Sequence, residues 1–164
     1  MSQYTESGMT FEYDADYVFL PEQSPTYQNL VKNNSIKSCD FVWLKGNKLL
    51  LIEVKATAPK KVQDLQTYIQ EIHFKFIHTL LLYLGLKFKR PFKVQTTLPT
   101  ELSTIEIGKV KIIPVLIVRN YQNAWLPPLA DSIRETVRGI RKAYCLEDIL
   151  VLNEELARTQ GFIV

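Results

Sequence analysis

The chain has 164 residues, enough for one domain with a sizeable core. Hydrophobic residues make up 46% and charged residues 23%, which fits a globular protein and excludes a disordered or fibrous chain. The net charge of +3 is unevenly spread: residues 1–35 carry five acids and one base, whereas Lys55 to Lys93 holds eight bases and two acids, a distribution that suits an anionic partner.

In chain order, residues 1–10 are polar and read as loose. Phe11 to Leu20 alternates aromatics with acids and predicts an edge strand. Pro21 to Pro25 is a loop, and Tyr27 to Lys32 predicts a short helix before an Asn33-Asn34 turn. From 38 to 55 two apolar runs flank Lys45-Gly46-Asn47-Lys48, which predicts a hairpin. Both runs are nearly continuous, as in strands covered on both faces.

A helix is expected from about 60 to 85, opened by Pro59 and stopped by Gly85. Val62, Leu65, Ile69, Ile72, Phe76, Leu80 and Tyr83 form its buried stripe. Asp64, Thr67, Glu71, Lys75 and His78 read as the solvated face. Leu86 to Pro99 reads as basic and extended, an edge strand or a substrate contact. Lys111 to Arg119 is a buried strand returning by a parallel crossover. Pro114 within it argues for a bulge or an edge position. A second helix is expected from about 129 to 144, with Leu129, Ile133, Val137 and Ile140 on one face. Arg134, Arg138 and Arg141 lie on another, beside Asp131 and Glu135. Leu146 to Leu156 is a last apolar piece, read as a short helix.

Chemistry concentrates at the ends of the 38–55 hairpin. Alternate strand residues share a face, so Glu53 and Lys55 project together. In an antiparallel hairpin Asp40 falls beside Glu53. Two carboxylates and an ammonium then converge at one end of an apolar sheet. Carboxylate oxygens suit Mg²⁺, and a cation so held can activate water beside a phosphoryl group. The alternative is a surface ion pair at the strand ends. Charges in strands buried on both faces favour the functional reading.

The order Asp40, hairpin, Glu53-Val54-Lys55 and long helix resembles the PD-(D/E)xK nuclease superfamily. The resemblance implies a three-layer α/β domain of restriction-endonuclease-like topology, a central mixed sheet flanked by helices, over residues 1–164. It implies a Mg²⁺- or Mn²⁺-dependent nuclease acting on nucleic acid, DNA before RNA. Asp40, Glu53 and the backbone carbonyl of Val54 would be the metal ligands, and Lys55 the catalytic lysine. Gln63 and Gln66 on the following helix, and Lys89 and Arg90 beyond it, are the candidate substrate contacts. The chain departs from the family pattern in having no proline before Asp40. It also has no assigned upstream acid: Glu12 and Glu22 are considered and set aside.

Cys39 and Cys145 show no metal-ligand spacing, and their scarcity fits a reducing cytosol. No secretory leader is recognisable, and the apolar run from Phe76 to Leu86 is too short to cross a membrane, so a cytoplasmic location is expected. Cleavage of both strands of a duplex suggests a homodimer or a larger assembly. Two other readings stay open: a nuclease-fold binding subunit without activity, and an unrelated α+β protein with a chance Glu-x-Lys.

Overall fold

The computed structural model describes residues 1–60 and 62–164, and it begins with a hairpin where a loose end was expected. Strands β1 (Ser2–Glu6) and β2 (Met9–Tyr13) pair antiparallel around Ser7-Gly8. Both turn residues have positive φ, 51° and 77°, which is the geometry of a two-residue hairpin turn. Alternation then buries Met9, Phe11 and Tyr13 on one side.

Phe11 to Leu20 is therefore not one strand. The Asp14 carboxylate accepts from the Asp16 amide at 3.1 Å and turns the chain into a 3-10 segment, Ala15–Tyr17. Only Val18–Phe19, strand β3, joins the main sheet, at its edge. Ser24 then caps α1 (Pro25–Val31), its Oγ accepting from the Tyr27 amide at 3.2 Å.

The predicted hairpin forms as β4 (Phe41–Lys45) and β5 (Lys48–Lys55), closed by Gly46-Asn47 with Lys45 opposite Lys48. The helix α2 spans Val62–Lys87. The expected start near residue 60 and the Val62 contact fall in part outside the described residues. Gly85 does not stop α2. A Cβ there would lie 2.7 Å from the Phe92 ring, so the glycine allows the chain that follows to fold back on the helix. That chain, from Leu86 to Pro99, is not a strand. It is a turn and an irregular segment, tied to α1 by Thr26 Oγ1 donating to the Val94 carbonyl at 2.7 Å. A short α3 (Thr100–Thr104) leads on to β6 (Lys111–Val118).

β6 pairs parallel to β5, as the crossover requires, and β7 (Leu150–Asn153) pairs parallel to β6. The sheet order is β3-β4-β5-β6-β7. Pro114 thus sits in an interior strand, against expectation. The β7 ladder begins only at Val115, so Pro114 lies where β6 still has one flank open. Between β6 and β7 runs α4 (Leu126–Ala143), which buries Leu129, Ile133 and Val137. Its arginines are paired at the surface: Arg134 with Asp131 and Asp148, Arg138 with Glu135. Within the last apolar piece Leu150–Asn153 is the strand β7 rather than helix, and α5 (Glu154–Thr159) follows.

The result is an α/β domain with a five-stranded mixed sheet between two layers. One core lies under α2 and α4 and takes Val42, Leu44, Leu49, Leu51, Leu116 and Val118 from the sheet. The other lies under the β1–β2 hairpin and the C-terminal segment and takes Phe41, Trp43, Leu50, Ile52 and Val54. Phe41 is its centre, with the rings of Tyr4, Phe11 and Tyr13 at 5.3, 4.7 and 6.5 Å. Among the described residues no helix is long and apolar enough to cross a membrane.

Candidate active site

The two-residue period of β4 and β5 decides which way the charged residues face. Val42 and Leu44 belong to the helix-side core, and so do Leu49 and Leu51. Asp40 shares the parity of the first pair, and Glu53 and Lys55 that of the second. All three therefore lie on the α2 side of the sheet. Asp40 is fixed there by the backbone of the neighbouring strand: the Val54 amide donates to Asp40 Oδ2 at 2.8 Å.

α2 runs antiparallel to β5 across this spot. Four helix residues advance about 6 Å and two strand residues about 6.6 Å, so contacts repeat in step. Thr79 Oγ1 accepts from the Cys39 amide at 2.7 Å. One turn back, Lys75 Nζ lies 2.8 Å from Glu53 Oε1. One turn further back, Glu71 Oε1 lies 3.4 Å from Lys55 Nζ. Lys55 Nζ also approaches Glu53 Oε1, at 3.1 Å. Lys37, from the loop before Asp40, reaches Glu71 Oε2 at 4.0 Å.

Glu71 and Lys75 are thus corrections to the sequence reading, which placed both on a solvated face. The Lys75 side chain is only 12% exposed. A signal for it exists in the sequence: it is the single Lys, Arg, Asp or Glu between Glu71 and Lys87. A charge in so apolar a stretch needs a partner. Glu6 was also overlooked. The β1–β2 turn brings it toward the site, where its charge acts on Asp40. Glu12 instead accepts from Gln3 at the surface and Glu22 is exposed.

Burial governs the electrostatics. Glu53 is fully buried. Burial pushes its carboxyl up, and the Lys75 and Lys55 ammoniums work against that shift. Asp40 is pushed up to about 8, first by burial and then by the Glu53 charge. For Lys75, burial works against the charge, but Glu53 more than offsets it and the ammonium is held firmly protonated. For Glu71, burial would raise the carboxyl, and Lys55 with Lys37 brings it below the usual range.

Both ammoniums lie within ion-pair distance of Oε1 of Glu53 and neither of Oε2, and both oxygens are buried with no well-aligned hydrogen-bond donor among the described residues. A buried anionic oxygen without a partner beside a second, desolvated carboxylate is a donor set that fits a hard divalent cation. Among the described residues no three His, Cys, Asp or Glu side chains converge. The protein would therefore supply two carboxylates, as Mg²⁺ sites that also use substrate phosphate do. The Val54 carbonyl, the third expected ligand, accepts from Ser7 Oγ at 3.5 Å.

The expected substrate contacts do not gather at this site. Gln63 is exposed near the start of α2. Gln66 lines a groove between α2 and α4 with Asp131 and Ser132. Lys89 and Arg90 lie beyond the far end of α2, about 20 Å along the axis from Lys75. No protein-family model matches the chain, and no curated protein or solved structure matches it.

Proposed function

We propose that the chain is a metal-dependent nuclease of the PD-(D/E)xK type, hydrolysing phosphodiester bonds in nucleic acid, DNA before RNA. The observation that carries this reading is the buried Glu53 carboxylate, with Oε2 unpartnered, beside the desolvated Asp40 carboxylate. Asp40 and Glu53, with the Val54 carbonyl, would hold Mg²⁺ or Mn²⁺, which would supply Lewis acidity at a phosphoryl group. Lys55 is the more exposed of the two lysines, at 25% against 12%. It is the one positioned to reach substrate, where it would orient the attacking water and stabilise charge on the phosphate. Lys75 holds Glu53 in place from the helix side. Glu71 restrains Lys55 and is itself paired with Lys37.

A specific observation favours a second reading. Lys75 already supplies Glu53 with a cation, as suits a nuclease-fold subunit that binds nucleic acid without cutting it. One experiment separates the two. Wild type and Lys55→Ala are incubated with single- and double-stranded DNA and RNA, with Mg²⁺, Mn²⁺ or chelator. Metal-dependent cleavage that disappears in a folded Lys55→Ala variant is the expected result. Absence of cleavage by folded wild type under every condition would discard the enzyme in favour of the binding subunit.

A further inference from the structure

The carboxyl ends of β5 and β6 lie side by side and carry more than the charged cluster. The pairing continues past both strands: the Arg119 amide donates to the Lys55 carbonyl at 2.9 Å, and the Asn120 amide to the Ala56 carbonyl at 3.2 Å. Tyr121 therefore emerges one residue beyond a direct link to the Lys55 strand end. From there to Trp125 the chain forms one wall of a concave pocket of about 300 Å³, and Pro59 and Lys60 line it from the β5 side.

This pocket is aromatic and cationic at once. The Tyr121 and Trp125 rings meet edge to face, 5.3 Å between centroids. Lys60 Nζ stands 4.7 Å over the Trp125 ring. Pro128 and Leu129 complete an apolar floor. The loop is held by buried Asn153, whose Nδ2 donates to the Tyr121 carbonyl at 3.1 Å and to Asn123 Oδ1 at 2.6 Å. Tyr68, on α2 and near both Glu53 and Tyr121, has a phenol hydroxyl buried with no partner among the described residues. Burial pushes that phenol up, and the Glu53 charge adds to the shift.

A flat π-surface, a cation above it, and a neighbouring site for phosphate together match one ligand class. We propose that Tyr121, Trp125 and Lys60 form a stacking subsite for an unpaired nucleobase, so that the strand entering the Asp40–Glu53–Lys55 site is single-stranded or locally unpaired. A base in a duplex has both faces stacked and cannot enter such a pocket. A single strand offers a free π-face whatever its sequence, and Lys60 sits where the adjoining phosphate passes. The proposal rests on the nuclease reading for its ligand class and adds the strandedness of the substrate and the residues that select it.

The test uses Trp125 as its own reporter, since the other tryptophan, Trp43, is buried at 7% exposure. With chelator present, the full chain is titrated with a short oligothymidylate, an oligouridylate and an abasic phosphodiester of the same length. Fluorescence is read alongside anisotropy of labelled strands. Base-bearing strands are expected to quench Trp125 and to bind about tenfold tighter than the abasic strand. Trp125→Ala should erase both the quench and the preference, and Trp125→Phe should restore the preference. The deoxy and ribo arms show which sugar the site takes. Equal binding of abasic and base-bearing strands, or a folded Trp125→Ala that binds as wild type does, overturns the subsite. Quenching without cleavage upholds the subsite while removing the nuclease. Cleavage with an unaltered Trp125→Ala does the reverse.

Discussion

Lys75 Nζ stands closer to Glu53 Oε1 than Lys55 does, 2.8 Å against 3.1 Å, although Lys55 is on the same strand as Glu53 and Lys75 on the helix above. Removing Lys75 takes away the more buried partner and leaves the buried Glu53 with Lys55 alone. Lys75→Ala is expected to lose about 3 kcal/mol of stability, and Lys55→Ala, at a more exposed pair, about 1 kcal/mol. Urea denaturation of the two variants measures this ranking. Equal losses would show that the two ammoniums share Glu53 evenly.

Asp40 is held by the Val54 amide and is pushed up to about 8 by burial and by Glu53. An asparagine keeps an acceptor for that amide and, like the protonated acid that burial favours, carries no charge to bury. Asp40→Asn is therefore expected to melt at or above the wild-type temperature. Its Mg²⁺ affinity in calorimetry should fall by at least about tenfold. Unchanged affinity would remove Asp40 from the ligand set.

Asn153 acts on two elements at once. Its Oδ1 caps α5 by accepting from the Leu156 amide at 3.0 Å, and its Nδ2 ties down the 121–123 loop. Asn153→Ala should lose about 1–2 kcal/mol and shift the Trp125 emission to longer wavelength as the loop loosens. Asn153→Asp preserves the cap but not the donor. It should recover stability more than it recovers the emission.

Two histidines should cost the metal-free protein stability in mild acid. His78 Nδ1 accepts from the Lys37 amide at 3.1 Å and so must be unprotonated on that nitrogen. Burial, and then the Lys37 charge, holds His78 below the usual 6.5. Burial and His78 do the same to His73. Below 6.5 these histidines take up protons in the unfolded chain that they do not yet bind in the folded one, so their contribution to stability falls as pH drops through that window and is fully present above it. Asp40, raised to about 8, and the raised Glu53 work the other way across this window, so the histidine contribution is read as a difference: from pH 7.5 to 5 the melting temperature of the wild type should fall relative to that of His78→Gln. Parallel profiles in the two proteins would show that His78 is not coupled to folding.

What the sequence made legible was local and periodic. The Gly46-Asn47 turn, the apolar runs around it and the parity of Asp40, Glu53 and Lys55 follow from a two-residue repeat that tertiary context does not alter. The parallel return of β6 follows from the long helix before it. Lys75 was obscured because a helix apolar almost all round has no unique buried face. Its orientation is set by where Val42, Leu44, Leu49 and Leu51 offer a surface. The β1–β2 hairpin was missed for lack of a strong apolar pattern in Ser2–Glu6, although Ser7-Gly8 was a turn signal. The Tyr121–Trp125 pocket could not be read at all, because its two walls are some sixty residues apart in the chain.

That last separation also orders the folding of the two halves of the site. The charged cluster draws on residues between Lys37 and Lys75, a hairpin and the helix directly after it, and can assemble from near neighbours. The aromatic wall must wait for β6, whose pairing with β5 closes a loop running from Lys55 to Lys111. Long-range parallel pairing of this kind is slow. In refolding kinetics, then, the salt-sensitive step belongs to the acids and lysines. The recovery of Trp125 fluorescence should trail it and report the closing of the sheet.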